Sequence, residues 1–235
     1  VKIVFDCRYT RIGRHDGISR FTASLVGELA KLHEVTMLIS DEAQLEMLPA
    51  LPWAMGPSPT SPLEPLVARH VNRLHPDIVF TPMQTMGSIG RRYRLVKTVH
   101  DLIYYSNRTP PRDLPAFVRG LWRLYHLAWW PQRMLLNRSD AVVAVSHTTA
   151  ALIARHRLTR KPVYVVTNAP EVPADVPDVA ADRARDEVAD LHGLVHAVQE
   201  RRDARTRGSP AAGLRAAPDE QSQQRPARAA RRRGS

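Results

Sequence analysis

The chain has 235 residues, room for one large domain or one domain and a half, and 43% are hydrophobic, enough for a globular core. No run of about 18 apolar residues occurs and no charged-then-apolar-then-small segment opens it, which argues against a membrane span and against secretion. The single cysteine, Cys7, excludes an internal disulfide and fits a reducing, cytoplasmic setting, and the net charge of +11 favours anionic partners, phospholipid headgroups, nucleotides or nucleic acid, without choosing among them.

Val1 to Asp6 reads as a short strand, and Ile18, Phe21, Leu25, Leu29 and Leu32 recur at helical spacing after a loop. Val35 to Ile39 gives a second strand, after which Ser40 and Asp41 are suited to cap a short helix through Leu48. A proline-rich connector from Pro49 to Pro65 is expected to break regular structure. Leu66 to Leu74 reads as a helix, and Ile78 to Phe80, Leu95 to Val99, Ala141 to Val145 and Val163 to Val166 as strands. A long helical segment, Leu114 to Asn137 with a break at Pro131, and a shorter one, Thr148 to His156, lie between them. Strands that alternate with helices and are apolar throughout predict an α/β fold, a doubly wound, mostly parallel, Rossmann-like sheet covered on both faces and ending near Pro170.

Beyond position 170 the composition changes. No Phe, Trp or Tyr follows Tyr164 and no Lys follows Lys161. Residues 171–200 hold 8 acidic side chains and 2 Arg, while residues 201–235 hold 10 Arg and 3 acidic side chains. Such a tail has too little apolar mass to offset the entropy of ordering it, so disorder is expected over 171–235 apart from a helix around Asp182 to Gln199. Its Arg-Ala-Pro character resembles a shifted reading frame in GC-rich coding DNA; a natural disordered tail is the competing reading. The basic character of residues 1–170, 22 Lys+Arg against 12 Asp+Glu, does not depend on this tail.

In doubly wound sheets ligands bind beyond the carboxyl ends of the strands, so the residues after each strand are the candidates. Gly17 and Ile18 open the first helix, where free N–H groups and the helix dipole can hold a phosphate, or where the glycine serves a turn alone. His100 and Asp101 end a strand side by side; the imidazole can hydrogen-bond a sugar hydroxyl or a forming oxyanion and the carboxylate can orient groups in a cleft, or both serve only to cap a loop. Ser146 ends another strand, where capping of the next helix explains it equally well, and Asn168 follows the last strand at a position suited to a turn or hinge.

Taken in order, Gly17-Ile18-Ser19-Arg20-Phe21, His75-Pro76-Asp77-Ile78-Val79, Thr98-Val99-His100-Asp101, Ala141-Val142-Val143-Ala144-Val145-Ser146 and Val166-Thr167-Asn168-Ala169-Pro170 resemble the N-terminal domain of family 4 glycosyltransferases of the GT-B fold, the glycogen-synthase-like and bacterial mannosyltransferase-type members above all. The resemblance implies an acceptor-side domain, a sugar-nucleotide donor, a lipid-linked or saccharide acceptor, and transfer with retention of configuration and no metal or other cofactor. By the same resemblance Gly17 lies against the donor phosphates, His100 at the donor sugar, Asp101 and Ser146 along the cleft, and Asn168 at the crossing to a second domain. The sequence departs from the family in having His15-Asp16-Gly17 where a glycine pair is usual. It also shows, after position 170, none of the basic residues and paired glutamates by which the family's second domain holds the donor, so the chain by itself is expected to be nearly inactive. A noncatalytic Rossmann-like binding module is the alternative. A dinucleotide oxidoreductase ranks low because the first loop lacks the three-glycine fingerprint.

Trp122, Arg123, Tyr125 and Trp129 lie in the long helical segment, where aromatic and basic residues suit an acceptor or an anionic membrane surface, peripheral at its inner face; a packed helix face with solvated arginines is the other reading. Arg91, Arg92 and Arg94 read as a solvated basic loop, and no specific nucleic-acid partner is implied.

Overall fold

A computed structural model describes residues 1–106, 119–120, 128–167, 189–190, 192–201 and 203–204. Seven strands form one parallel sheet: β1 (Lys2–Asp6), β2 (Glu34–Ile39), β3 (Trp53–Met55), β4 (Ile78–Thr81), β5 (Arg94–Val99), β6 (Ala141–Ala144) and β7 (Val163–Val165), in the order β3-β2-β1-β4-β5-β6-β7. The order reverses between β1 and β4, which pair Ile3 with Ile78 and Phe5 with Phe80. This arrangement creates a crevice beyond their carboxyl ends, the usual ligand position in such sheets.

The strands are apolar throughout because both faces are covered. Ile3 and Phe5 of β1 belong to the core beneath α1 (Gly17–Ala30), with Phe21, Leu25, Val26 and Leu29 of that helix. Val4, between them, points the other way and packs with Val67, Ala68 and Val71 around α2 (Val67–Val71). The side-chain period of two is therefore present, but both phases are apolar. Full burial of each such side chain contributes about 1.5–3 kcal/mol, and Phe5 stacks on Phe80 with ring centroids 5.0 Å apart. A third cluster, with Val99, Leu136, Val142 and Ile153, covers the other half of the sheet under α4 (Trp130–Asn137) and α5 (His147–Arg155); the short α3 (Ile103–Ser106) follows β5.

Four expectations are refined. The proline-rich connector holds a strand after all: β3 extends the sheet because Met37 N–H donates to Pro52 O and Gly56 N–H to Ile39 O on either side of the paired residues. The segment Leu66 to Leu74 is not one helix but a 3-10 turn, Glu64–Leu66, then α2, then a second 3-10 turn, Asn72–Leu74, stopped by His75 at φ 50°. Pro131 does not kink a helix but opens α4, in the first turn, where its missing N–H costs nothing; most of Leu114 to Trp129 lies outside the described residues. Finally, residues 192–201, here α6, are helical, and Leu194, Val195 and Val198 are buried in the α1 core cluster. Their spacing of one, three and four is a core-facing stripe that the polar average of the surrounding composition conceals.

Candidate active site at the switch point of the sheet

The crevice between β1 and β4 is built on a buried ion triad. Arg8, just past β1, is 3% exposed and donates to both oxygens of Asp6 at 2.8 and 3.1 Å and to both oxygens of Glu64 at 2.7 and 2.9 Å. Its Nη1 also donates to Pro57 O at 2.9 Å, and Thr81 Oγ1, at the end of β4, donates to Asp6 Oδ2 at 3.0 Å. Planar guanidinium and carboxylates meet in the bidentate geometry that makes such bonds strong. The triad ties the proline-rich connector and the end of β4 to the end of β1, fixing the crevice floor. Across its mouth Tyr9 and Thr85 share a hydrogen bond of 3.0 Å. Burial first, and then the Asp6 charge, pushes the Tyr9 phenol above its ordinary value. Cys7 beneath is fully buried, and burial raises its thiol well above the ordinary value, consistent with an inert core residue.

His100 stands at the end of β5, half-buried, with its ring edge-on to Phe21 of α1 at 5.1 Å. Its Nε2 lies 2.9 Å from Pro82 O, just past β4. A carbonyl can only accept, so Nε2 carries the hydrogen and, in the neutral ring, Nδ1 is left as an acceptor. Desolvation lowers the His100 pKa below its ordinary value, opposed by the Pro82 hydrogen bond and by the charges of Asp101 and Asp16. That shift favours the uncharged imidazole, which is suited to accept a hydrogen bond rather than to neutralise an anion. Asp101 is exposed, and its Oδ1 accepts from Ile103 N–H at 3.2 Å, starting α3.

Ser146 caps α5: its Oγ accepts from Thr149 N–H at 3.0 Å and donates to Thr149 Oγ1 at 3.0 Å, which in turn donates to His100 O at 3.2 Å. The hydroxyl chain couples the ends of β5 and β6 and sets the backbone that carries His100.

At the start of α1 the N-cap is Asp16. Its Oδ1 accepts from Ser19 N–H at 2.8 Å and Ser19 Oγ–H at 2.9 Å, and its other oxygen pairs with Arg11 Nε at 2.9 Å. Desolvation pushes the Asp16 carboxyl up, but the bonds from Ser19 and the Arg11 charge outweigh it and hold the pKa below the ordinary value. Arg20 N–H goes to Asp16 O. The helix end is thus largely satisfied from within, and Gly17 is its exposed, open corner: a Cβ built there meets nothing within 4 Å. The chain's own packing does not require glycine at this point, so the space is open to a ligand.

Gly17, Ile18, His100, Asp101 and Ser146 all fall at the carboxyl edge of the sheet. Asn168, Trp122, Arg123 and Tyr125 lie outside the described residues. Trp129 is stacked between Tyr105, centroids 3.9 Å apart, and His156, 4.1 Å apart, so both faces of its indole are taken up in packing. Asp6, Arg8 and Glu64 carried no sequence signal, since the ion triad joins residues 56 positions apart; the N-cap position of Asp16 before an apolar helix was the one readable clue. Among the described residues no group of three His, Cys, Asp or Glu side chains is placed to hold a metal ion, and no helix is long and apolar enough to cross a membrane.

The fold is similar to that of HepE from Anabaena, solved with UDP and glucose, at 17% identity and a TM-score of 0.45 over 77% of this chain and 49% of that one. It is also similar to sucrose-phosphate synthase from Thermosynechococcus elongatus, at 13% identity and a TM-score of 0.47 over 72% of this chain and 48% of that one. The chain thus spans about half the length of both. No curated protein matches. Residues 15–170 match the model of Glycosyltransferase Family 4, from the helix start at α1 to the end of the sheet, and the chain belongs to that family.

Proposed function

We propose that this chain forms the acceptor-side domain of a retaining, sugar-nucleotide-dependent glycosyltransferase that moves a hexose, such as mannose or glucose, to a saccharide or lipid-linked acceptor. The observation that carries the reading is His100, fixed through Nε2 on Pro82 O and half-buried beside the switch-point crevice. An acceptor nitrogen held by the backbone is well suited to a sugar hydroxyl, because a group oriented in advance loses little freedom when the hydroxyl arrives. In this reading His100 binds the transferred sugar, Asp101 orients groups beside it, and the open corner at Gly17 and Ile18 approaches the donor phosphates. Ser146 acts through its hold on the backbone of His100, and Asn168 stands at the crossing to the donor-binding half. The reaction needs no metal in this reading, because a second domain of the intact enzyme supplies the cations that stabilise the leaving diphosphate. The HepE structure was solved with UDP and glucose, which makes UDP-glucose a first donor to try.

Saturation-transfer NMR with UDP-glucose, GDP-mannose and simple glycosides tests the proposal. The expected result is saturation of sugar protons by the chain, lost in His100→Ala while a folding control by circular dichroism is unchanged. Equal saturation in the variant, or none in the native chain, would remove His100 from the sugar site and leave a noncatalytic module as the better reading.

A further inference from the structure

The opposite edge of the sheet, where β4 and β5 begin, carries a second constellation. An open cavity of about 570 Å³ is lined by Arg69, Asn72, Arg73, His75, Gly90 and Arg92. Its lining holds three guanidiniums and an imidazole and no carboxylate. Among the described residues none of Arg69, Arg73 and Arg92 forms an ion pair or a side-chain hydrogen bond, whereas Arg91 and Arg94, on either side of Arg92, both pair with Asp140. Within one short loop two arginines are neutralised and the third is turned to the cavity.

The frame of the cavity is held from within. The Asn72 side chain donates through Nδ2 to Gly90 O at 2.8 Å and accepts from Arg92 N–H at 2.9 Å, clamping the loop before β5 onto the turn after α2. Gly90, at φ 77°, supplies the left-handed step that this loop needs, and His75 adopts φ 50° to end the helical turn at the cavity rim. Arg69, on α2, and Arg73, in the 3-10 turn that follows it, line the same cavity, where like charges repel. Three cations gathered on a clamped backbone without a counter-charge are unfavourable alone and favourable around an anion.

We propose that this cavity binds a phosphate-class oxyanion, a phosphomonoester or diphosphate, carried either by a free molecule or by a lipid headgroup. Arg69, Arg73 and Arg92 donate to its oxygens, and His75 closes the rim. An adjoining cavity, which Asn72, His75 and Arg92 also line, holds the carboxylate of Asp77, and this accepts from Lys2 N–H at 3.0 Å. The site lies at the far end of the strands from His100 and does not depend on the sugar-binding proposal.

Isothermal titration of the whole chain with inorganic pyrophosphate and with inorganic phosphate tests it, alongside flotation with phosphatidylglycerol vesicles. Arg73→Ala/Arg92→Ala is compared with Arg155→Ala, an exposed arginine of α5 outside the cavity, and melting curves verify that both fold. The expected result is saturable binding that weakens about tenfold or more in the double variant, the loss of two charge-assisted contacts, and stays unchanged in Arg155→Ala. Vesicle retention lost in the same double variant identifies a lipid headgroup as the source; soluble binding without retention identifies a free phosphate compound. Absence of binding in both arms, equal binding by the double variant, or equal loss in Arg155→Ala would overturn the proposal.

Discussion

The two edges of the sheet use polar groups in opposite ways. At the carboxyl edge nearly every such group holds another: Arg8 sits between Asp6 and Glu64, Asp16 takes the Ser19 amide and hydroxyl, and Ser146 works through Thr149 to the His100 carbonyl. At the amino edge Arg69, Arg73 and Arg92 face a cavity with no counter-charge among its lining residues. The first edge is tied together by these bonds, and Nδ1 of His100 is left as an acceptor for a ligand. The second is an electrostatic trap, selective for charge more than for shape.

Breaking the first edge should therefore cost stability, and breaking the second should not. The largest effect is expected for Glu64→Ala, which takes from the buried Arg8 guanidinium one of its two carboxylates; denaturant unfolding should show a loss of about 3–5 kcal/mol. A smaller loss or none would mean that water reaches Arg8 in the variant.

Between the edges lies Lys97, wholly buried on β5, with Nζ donating to Leu135 O at 3.2 Å. Desolvation, followed by the charges of Arg91 and Arg138, lowers its pKa to about 7. The unfolded chain holds that proton up to about pH 10.4, so between the two values the unfolded state binds more protons and stability rises with pH; below pH 7 the folded state carries the full penalty of a buried charge. Lys97→Met should raise stability at pH 6 by about 1–4 kcal/mol and flatten the rise between pH 7 and 10. Unfolding curves at several pH values give both readings, and an unchanged slope would show that Lys97 titrates as an exposed amine.

Asp16→Ala removes the cap of α1 and should cost about 1 kcal/mol, seen as a lower melting temperature. Smallest of all, Arg73→Ala should change stability by less than about 0.5 kcal/mol, with a gain favoured because it removes a like-charge neighbour of Arg69. A clear loss there would mean that Arg73 supports the fold, and the contrast between the edges would fail.

The sequence showed six of the seven strands because a parallel sheet covered on both sides leaves unbroken apolar runs such as Ile78-Val79-Phe80 and Ala141-Val142-Val143. It concealed β3, three residues long and flanked by prolines, since edge pairing to Met37 and Ile39 comes from tertiary structure, not from local preference. It concealed the stripe Leu194, Val195 and Val198 by diluting it among charged residues. At the candidate site His100, Asp101, Gly17 and Ser146 were readable from their positions just after strands or at a helix start. The partners of His100 and Ser146 were not: Pro82 O and Thr149 are brought in by strand order and cap geometry. Arg92 was legible only as part of a basic run, and nothing local distinguished it from Arg91 and Arg94, whose partner Asp140 lies more than 40 residues away.

The proposed function turns on His100 as a neutral, backbone-held acceptor for a sugar hydroxyl. A pH titration of histidine-labelled protein by 15N NMR, run with and without a bound glycoside, tests it most directly. His100 is expected to be protonated on Nε2 alone at pH 7, with a pKa below the ordinary histidine value, and sugar binding to fade as the pH falls through that pKa. A doubly protonated His100 at pH 7, or sugar binding that ignores its titration, would contradict it.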